Sequence, residues 1–308
     1  MRILVLGAGA IGGYFGGRLA EAGVDVTFLV RRRRKEQLDA NGLVVKSALG
    51  DLALPVKTLA AGSAAPPFDV VLLSCKSYDL DSAIAAIAPY MGPDSAVLPL
   101  LNGLVHLDRL IEGLGAGRVM GGACYISAAL EPDGTVRHVG TLQGLPFGEL
   151  SGAVSARASA LQAEFARTRI AATLAADIVQ TMWEKLVMLA SLAAVTTLCR
   201  GTVGEIVAAP LGTEFVLRTI DECAAVAAAE GHAPSAAALE QFRGMLTARG
   251  SPFAASTLRD LAAGRRTEGD HIVGDLVRRA HRRGLAVPVL ETAFTNLEVH
   301  ETRLKNAP

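Results

Sequence analysis

Ile3-Leu4-Val5-Leu6-Gly7-Ala8-Gly9-Ala10-Ile11-Gly12 is the stretch whose reading decides the fold. A short apolar run of β type feeds straight into glycines spaced G-x-G-x-x-G, and Ile11 to Ala22 then takes up helical spacing. Strand, glycine turn and helix in that order separate a dinucleotide-binding fingerprint from an ordinary glycine-rich turn. Gly7 permits the tight turn, Gly9 lets the backbone approach a pyrophosphate, and Gly12 lets the helix lie close on the strand. Unpaired amides and the dipole at a helix N-terminus favour phosphate there. Gly7, Gly9, Ala10, Ile11 and Gly12 are therefore read as cofactor-binding residues.

The next strand, Val26-Thr27-Phe28-Leu29-Val30, is followed by Arg31-Arg32-Arg33-Arg34-Lys35. A site that prefers NAD usually places an acid near this point to bond the ribose hydroxyls, whereas the guanidinium of Arg31 or Arg32 suits a 2′-phosphate. The expected cofactor is NADP(H), with Arg33, Arg34 and Lys35 read as a solvated basic face at a helix start.

Further along, Leu43–Lys46 and Leu52–Leu54 read as a hairpin around Gly50-Asp51, and Val70–Ser74 as a buried strand ending at Cys75-Lys76. A helix from Asp79 to Ala88 and a strand near Ala96 to Leu100 lead to Asn102-Gly103. Ligands in open α/β sheets sit beyond the carboxyl ends of the strands, which makes Lys76 and Asn102 candidates to line the site. Antiparallel strands from Val119 to Glu149, a helix from Val154 to Arg167 and a strand at Ile170–Thr173 close the first domain. Asp177 with Gln180 resembles a capping box opening a long helix. The domains are placed at 1–175 and 176–308, the second almost wholly helical: Thr213–Glu230, Ser235–Arg249, Thr257–Ala263, Thr267–Arg283 and Val289–Lys305.

A chain of 308 residues suits two domains, and 51% hydrophobic with 19% charged residues is a globular composition. Zero net charge gives no electrostatic case for nucleic acid or an anionic membrane. Cys75, Cys124, Cys199 and Cys223 are too scattered for a disulfide framework or a metal site. The N-terminal apolar run ends in glycines, unlike a signal peptide, and the uncharged stretch Leu186–Leu198 is short for a bilayer. These features predict a cytoplasmic protein and leave a monomer and a homodimer open.

Two stretches of the helical half carry charge that a core does not need: Met182-Trp183-Glu184-Lys185-Leu186 and Thr267-Glu268-Gly269-Asp270-His271. Taken with the N-terminal fingerprint, Cys75-Lys76, Leu101-Asn102-Gly103 and Arg265-Arg266-Thr267-Glu268 followed by Gly274 and Arg278-Arg279-Ala280, the chain resembles the ketopantoate reductase (2-dehydropantoate 2-reductase) family over nearly its whole length. The resemblance implies an α/β Rossmann domain followed by a helical domain of the phosphogluconate-dehydrogenase type, with the active site in the cleft between them. It implies NADPH-dependent reduction of a small-molecule 2-keto acid, the named reaction being ketopantoate to pantoate on the route to pantothenate and coenzyme A. Lys185 then takes the place of the family's catalytic lysine and Glu268 of its carboxylate partner. Lys76 and Asn102 match positions near the cofactor and the carbonyl, and Ser256 and Asp260 match substrate-contacting positions.

Those roles are chemically coherent. Hydride delivered to C2 leaves negative charge on the carbonyl oxygen, which an ammonium stabilises and protonates. A lysine of ordinary pKa, about 10.4, is a sluggish acid at pH 7, so the role calls for burial. Glu268 favours the ammonium and is assigned to orienting Lys185 and the substrate.

The sequence departs from the family at three places. Asparagines expected four and eight residues after the lysine are Leu189 and Ala193, and a third, in the helix of Glu268, is Val273. Leu189 and Ala193 thus stand at substrate-binding positions with apolar side chains. Two readings follow: the enzyme takes a less polar 2-keto acid, or Ser191, Thr196 and Thr197 compensate from neighbouring turns. Outside that class, a non-catalytic NADP(H)-binding sensor and a dehydrogenase of the 3-hydroxy acid type are the competing expectations.

Overall fold

The computed structural model describes residues 1–306 and divides into two compact units. One unit comprises Met1–Asn102 with His106–Thr181, the other Gly103–Val105 with Met182 onward.

The first unit alternates strand and helix: β1 (Arg2–Leu6), α1 (Ala10–Glu21), β2 (Asp25–Val30), α2 (Arg32–Asn41), β3 (Leu43–Lys46), β4 (Leu52–Leu54), β5 (Lys57–Ala60), β6 (Phe68–Leu73), α3 (Leu80–Ile87) and β7 (Met91–Pro99). It continues through α4 (Val105–Leu114), β8 (Met120–Gly122), β9 (Tyr125–Leu130), β10 (Val136–Glu149), α5 (Ala156–Phe165) and β11 (Ala171–Leu174). Five parallel strands pair in the order β5-β2-β1-β6-β7, with Ile3 opposite both Val26 and Val70. The strand order reverses at β1, the point where a doubly wound sheet opens a crevice for a ligand. The near-continuous apolar runs of β1 and β6 are what a parallel sheet covered on both faces requires.

A second, mixed sheet orders β11-β10-β3-β4, with β8 and β9 antiparallel to β10. The predicted Leu43–Leu54 hairpin is present, but it is built into this sheet through β3 and β10. Helix α1 is held between the two sheets. A Cβ at Gly16 would lie 2.8 Å from the Phe28 ring, and one at Gly17 would lie 2.9 Å from Leu43. The close approach lets Tyr14, Phe15 and Leu19 bury completely among Phe28, Leu43 and Leu72, each such side chain contributing about 1.5–3 kcal/mol. Strand β5, which sequence patterning does not mark, completes the parallel sheet beside β2.

The second unit is helical: α6 (Ile178–Cys199), α7 (Val203–Ala208), α8 (Gly212–Ala229), α9 (Ala236–Leu246), α10 (Ser256–Ala262), α11 (Asp275–Arg282) and α12 (Pro288–Lys305). The amide of Gln180 donates to Asp177 Oδ1 at 2.9 Å, the forward half of the expected capping box at the start of α6. Although only a 13-residue uncharged run is visible in sequence, the full 22-residue helix is long and apolar enough to cross a membrane by length and composition. Most of its apolar window, 78%, is buried inside the protein, which is how a core helix behaves. Ser235 caps α9 by accepting from the Ala238 amide, and Gly231 and Gly284 end their helices with positive φ. The single helix expected over Thr267–Arg283 is instead a π-helical turn, Asp270–Gly274, running into α11. Short π segments inside helices recur at functional sites, and their wider turn is invisible to a 3.6-residue periodicity.

Candidate active site

In the first unit the site begins at the glycine turn. Gly7 has φ of 87°, and its amide donates to the Leu29 carbonyl at 2.9 Å. A Cβ at Gly12 would stand 2.2 Å from both the Gly7 carbonyl oxygen and Ser74 Oγ, so no side chain fits there. Gly9 differs from both. Its φ of −82° suits any residue, and no protein atom lies within 4 Å of where its Cβ would be. The room in front of Gly9 is thus not needed by the protein itself. Helix α1 starts with no side-chain cap and no acid in its first turn, which leaves its positive end to an anion. Space, amides and dipole fit a pyrophosphate, with Ala10 and Ile11 supplying the first turn.

The parallel strands deliver the other candidates to the same edge. Arg31 follows β2 directly, the glycine turn follows β1, Lys76 lies just past β6, and Asn102 just past β7. Arg31 is 85% exposed and reaches Asp79 Oδ2 at 3.4 Å, an ion pair too open to hold the guanidinium firmly. The solvated basic face expected of its neighbours holds for Arg33, which is exposed, and Lys35 pairs with Asp39 within the helix. It fails for Arg34. That side chain turns back onto the glycine turn, Nε donating to the Ala8 carbonyl at 3.1 Å and Nη1 to Gln37 Oε1 at 2.6 Å, and burial pulls its pKa down.

In the second unit, Lys185 lies on α6 and is only 6% exposed. Both residues before it are fixed. Trp183 stacks on His232 with ring centroids 5.4 Å apart, and the Arg279 guanidinium covers it at 5.0 Å. Arg279 is itself held by Asp275 at 2.9 Å and Glu230 at 2.7 Å. Glu184 Oε1 accepts the Ser235 amide at 2.9 Å, so this carboxylate serves the start of α9. One and two turns on from Lys185 come Leu189, half-buried, and Ala193, buried. The nearby hydroxyls are committed. Ser191 donates to the Val187 carbonyl at 2.8 Å, Thr196 to Leu192 at 2.6 Å and Thr197 to Ala193 at 2.6 Å, all buried within their own helix.

Glu268 is half-buried at the head of the π turn. Thr267 before it donates both its amide and its hydroxyl to Glu301 Oε1, at 2.7 and 2.9 Å, which fixes the turn to α12. Val273, in the turn, is fully buried. His271 is also buried; desolvation lowers its pKa while the negative charge of Glu268 opposes that drop. The loop glycine Gly103, with φ of 85°, packs against it, since a Cβ there would lie 2.8 Å from the His271 ring. Ser256 opens α10 in an exposed position, and Asp260 holds Arg265 at 2.9 Å. No group of three or more His, Cys, Asp or Glu able to hold a metal occurs among the described residues.

Comparison with known proteins shows which group shares this two-part sequence. The family model described as ketopantoate reductase PanE/ApbA matches residues 3–152, and its C-terminal counterpart matches residues 177–301. This chain belongs to the ketopantoate reductase family. It is 38% identical to the uncharacterized oxidoreductase YkpB of Bacillus subtilis, over 98% of this chain and 99% of that one. A crystal structure of 2-dehydropantoate 2-reductase from Geobacter metallireducens superposes with a TM-score of 0.89 at 30% identity, covering 97% of this chain and 99% of the other. D-mandelate dehydrogenase, in a ternary structure with NADH and anilino(oxo)acetate, shares the fold at a TM-score of 0.88 and 22% identity, covering 99% and 100%.

Within this ketopantoate reductase fold, Lys185, Leu189, Ala193, Glu268, Ser256 and Asp260 all fall in the helical unit, and Arg31, the glycine turn, Lys76 and Asn102 gather along one edge of the parallel sheet. Sequence reasoning missed Arg34, Glu301 and His271. The signal for Glu301 was an acid on an otherwise amphipathic terminal helix, which alone reads as surface.

Proposed function

We propose that this chain reduces a 2-keto acid to the corresponding 2-hydroxy acid with NADPH. The observation that carries the reading is Lys185: an amine kept at 6% exposure in a 22-residue, largely apolar helix, with Trp183 and Glu184 anchored on its N-terminal side. Amines taken out of water in this way are enriched where chemistry uses them. A bound nicotinamide dinucleotide supplies the hydride that adds to C2. Lys185 holds the carbonyl oxygen, stabilises the charge that grows there and delivers the proton that completes the hydroxyl. Glu268 orients the ammonium and the substrate, and its placement is set by the Thr267–Glu301 bonds. Arg31 supports the phosphorylated dinucleotide, because no acid occupies the end of β2 to take the ribose hydroxyls; the NADH bound by D-mandelate dehydrogenase keeps the other cofactor in the test.

For the substrate, a specific observation favours an acid less polar than ketopantoate. Leu189, half-buried, presents hydrocarbon where the family resemblance leads one to expect an amide, the buried Ala193 and Val273 carry no amide either, and the hydroxyl protons of Ser191, Thr196 and Thr197 are already spent on helix carbonyls. An apolar wall gains nothing from a substrate hydroxyl and leaves it unpaired. The test is cofactor oxidation over a panel of 2-keto acids, with NADPH and NADH side by side, in the wild type and in Lys185→Ala. Turnover of branched unhydroxylated acids above ketopantoate, lost on the order of 10²–10⁴-fold in the variant, is the expected result. Binding of NADPH without any turnover would mark a sensor, and a strong preference for ketopantoate would overturn the substrate class.

A further inference from the structure

The half-buried arginine of the basic run touches the one part of the fingerprint that the glycines leave to chance. Arg34 Nε donates to the carbonyl of Ala8, the residue between Gly7 and Gly9. A peptide unit is planar and trans, so its carbonyl and the following N–H point in opposite directions; no cis peptide occurs among the described residues. Drawing the Ala8 carbonyl toward α2 therefore turns the Gly9 N–H away from it. Gly9 is the residue with open space in front of it. Left to itself, a turn this rich in glycine can flip that peptide and present a carbonyl to an incoming phosphate, which repels it.

Arg34 is braced for the task. Its Nη1 bonds Gln37 Oε1 at 2.6 Å, and Gln37 Nε2 in turn bonds the Asp133 carbonyl in the turn between β9 and β10. A Cβ on Gly134 would collide with both side chains, at 2.3 Å from Arg34 Nη1 and 2.2 Å from Gln37 Nε2. The Arg34 Nη2 atom is buried and has no partner, so the guanidinium is kept half-desolvated at a cost that ordinary surface arginines avoid. Arg31 caps the same helix that carries Arg34, with the Lys35 amide bonding the Arg31 carbonyl at 3.0 Å.

We propose that Arg34 is a positioning residue for the dinucleotide, locking the Ala8–Gly9 peptide so that its amide faces the pyrophosphate, while Arg31 serves the 2′-phosphate separately. This rests on the nicotinamide dinucleotide reading above. The experiment compares two probes, NADPH and adenosine 2′-phosphate, by calorimetric or competition titration in the wild type, Arg34→Met and Arg34→Lys. Adenosine 2′-phosphate has no pyrophosphate. Arg34→Met is expected to raise the NADPH Kd roughly tenfold, as loss of one charge-assisted hydrogen bond would, and to leave the adenosine 2′-phosphate Kd within about twofold. If Arg34→Met is recovered unfolded, Arg34→Lys, which keeps the charge but not the planar fork, carries the same comparison. Equal weakening of both probes, or of neither, overturns the proposal. A wild type that binds neither NADPH nor NADH removes the cofactor reading itself, and that titration tells the two failures apart.

Discussion

Glu184 Oε1 accepts the backbone amide of Ser235 at 2.9 Å, and so the acid next to Lys185 in sequence serves the start of α9. Glu184→Gln should accordingly leave kcat within about threefold while lowering stability by roughly 1 kcal/mol, the worth of a charged acceptor at a helix start. Steady-state kinetics beside a urea titration checks both. A loss of turnover comparable with that of Lys185→Ala would return Glu184 to the reacting groups.

Glu301 fixes the residue just before Glu268. It is 9% exposed and accepts both bonds from Thr267, and Arg266 Nε lies 3.8 Å from its other oxygen. Glu301→Ala leaves two donors unsatisfied, at about 1–3 kcal/mol, and loosens the turn that carries Glu268. The expected signature is a kcat loss of roughly tenfold or more that Glu301→Gln partly rescues, since its carbonyl still accepts from Thr267. A variant whose stability falls while kcat holds would make the contact structural alone.

The parallel half was legible because its rules are local: an apolar run, three glycines and an amphipathic stretch determine β1, the turn and α1 wherever the rest of the chain goes. Candidate Lys185 was visible as a charge inside an apolar helix. Arg34 was not, because one arginine in a run of four looks the same to solvent until β10 and the Asp133 turn fold over it. Nor was the π turn, whose cause is packing. A Cβ at Gly269 would meet Leu297 at 2.8 Å and one at Gly274 would meet Phe294 at 2.7 Å, so α12 and the turn approach at two glycines five residues apart. Strand β5, with its Lys57 and Thr58, carried too little hydrophobic signal to be told from a loop.

Arg31 makes a prediction opposite in kind to Arg34. Its pair with Asp79 is exposed at both ends and contributes little to folding. Arg31→Ala should leave the melting temperature unchanged and raise KM for NADPH by roughly tenfold, with KM for NADH unmoved. Parallel loss with both cofactors would remove the 2′-phosphate role.

Acid should weaken the second unit through His271. Burial lowers its pKa in the folded chain, and the charges of Glu268, Asp275 and Asp270 oppose that drop only in part, with Arg278 reinforcing it. Below the unfolded value of about 6.5, the unfolded chain takes up a proton that the folded chain refuses, so stability declines as pH falls through that value. One such group can contribute a slope of at most ~1.4 kcal/mol per pH unit. Urea midpoints between pH 7.5 and 5 measure it, in the wild type and in His271→Gln. The variant should lose that part of the slope; an unchanged slope would place the titrating group elsewhere.

Substrate choice is open to a more direct manipulation at Leu189, because its surroundings differ from those of Ala193. Ala193 is 1% exposed, with the Thr197 hydroxyl already on its carbonyl. An asparagine there must bury an amide in a packed helix face, at about 1–3 kcal/mol, before it can meet any ligand. Leu189 is half-buried one turn after Lys185, so an amide can replace its side chain while staying partly hydrated. Leu189→Asn should therefore fold normally and shift relative kcat/KM toward a hydroxylated acid such as ketopantoate, by roughly tenfold, the worth of one recovered hydrogen bond. Ala193→Asn should show mainly a lower melting temperature. If Leu189→Asn changes neither ratio nor turnover, the apolar face of α6 does not meet the substrate, and the proposed preference for less polar acids loses its basis there.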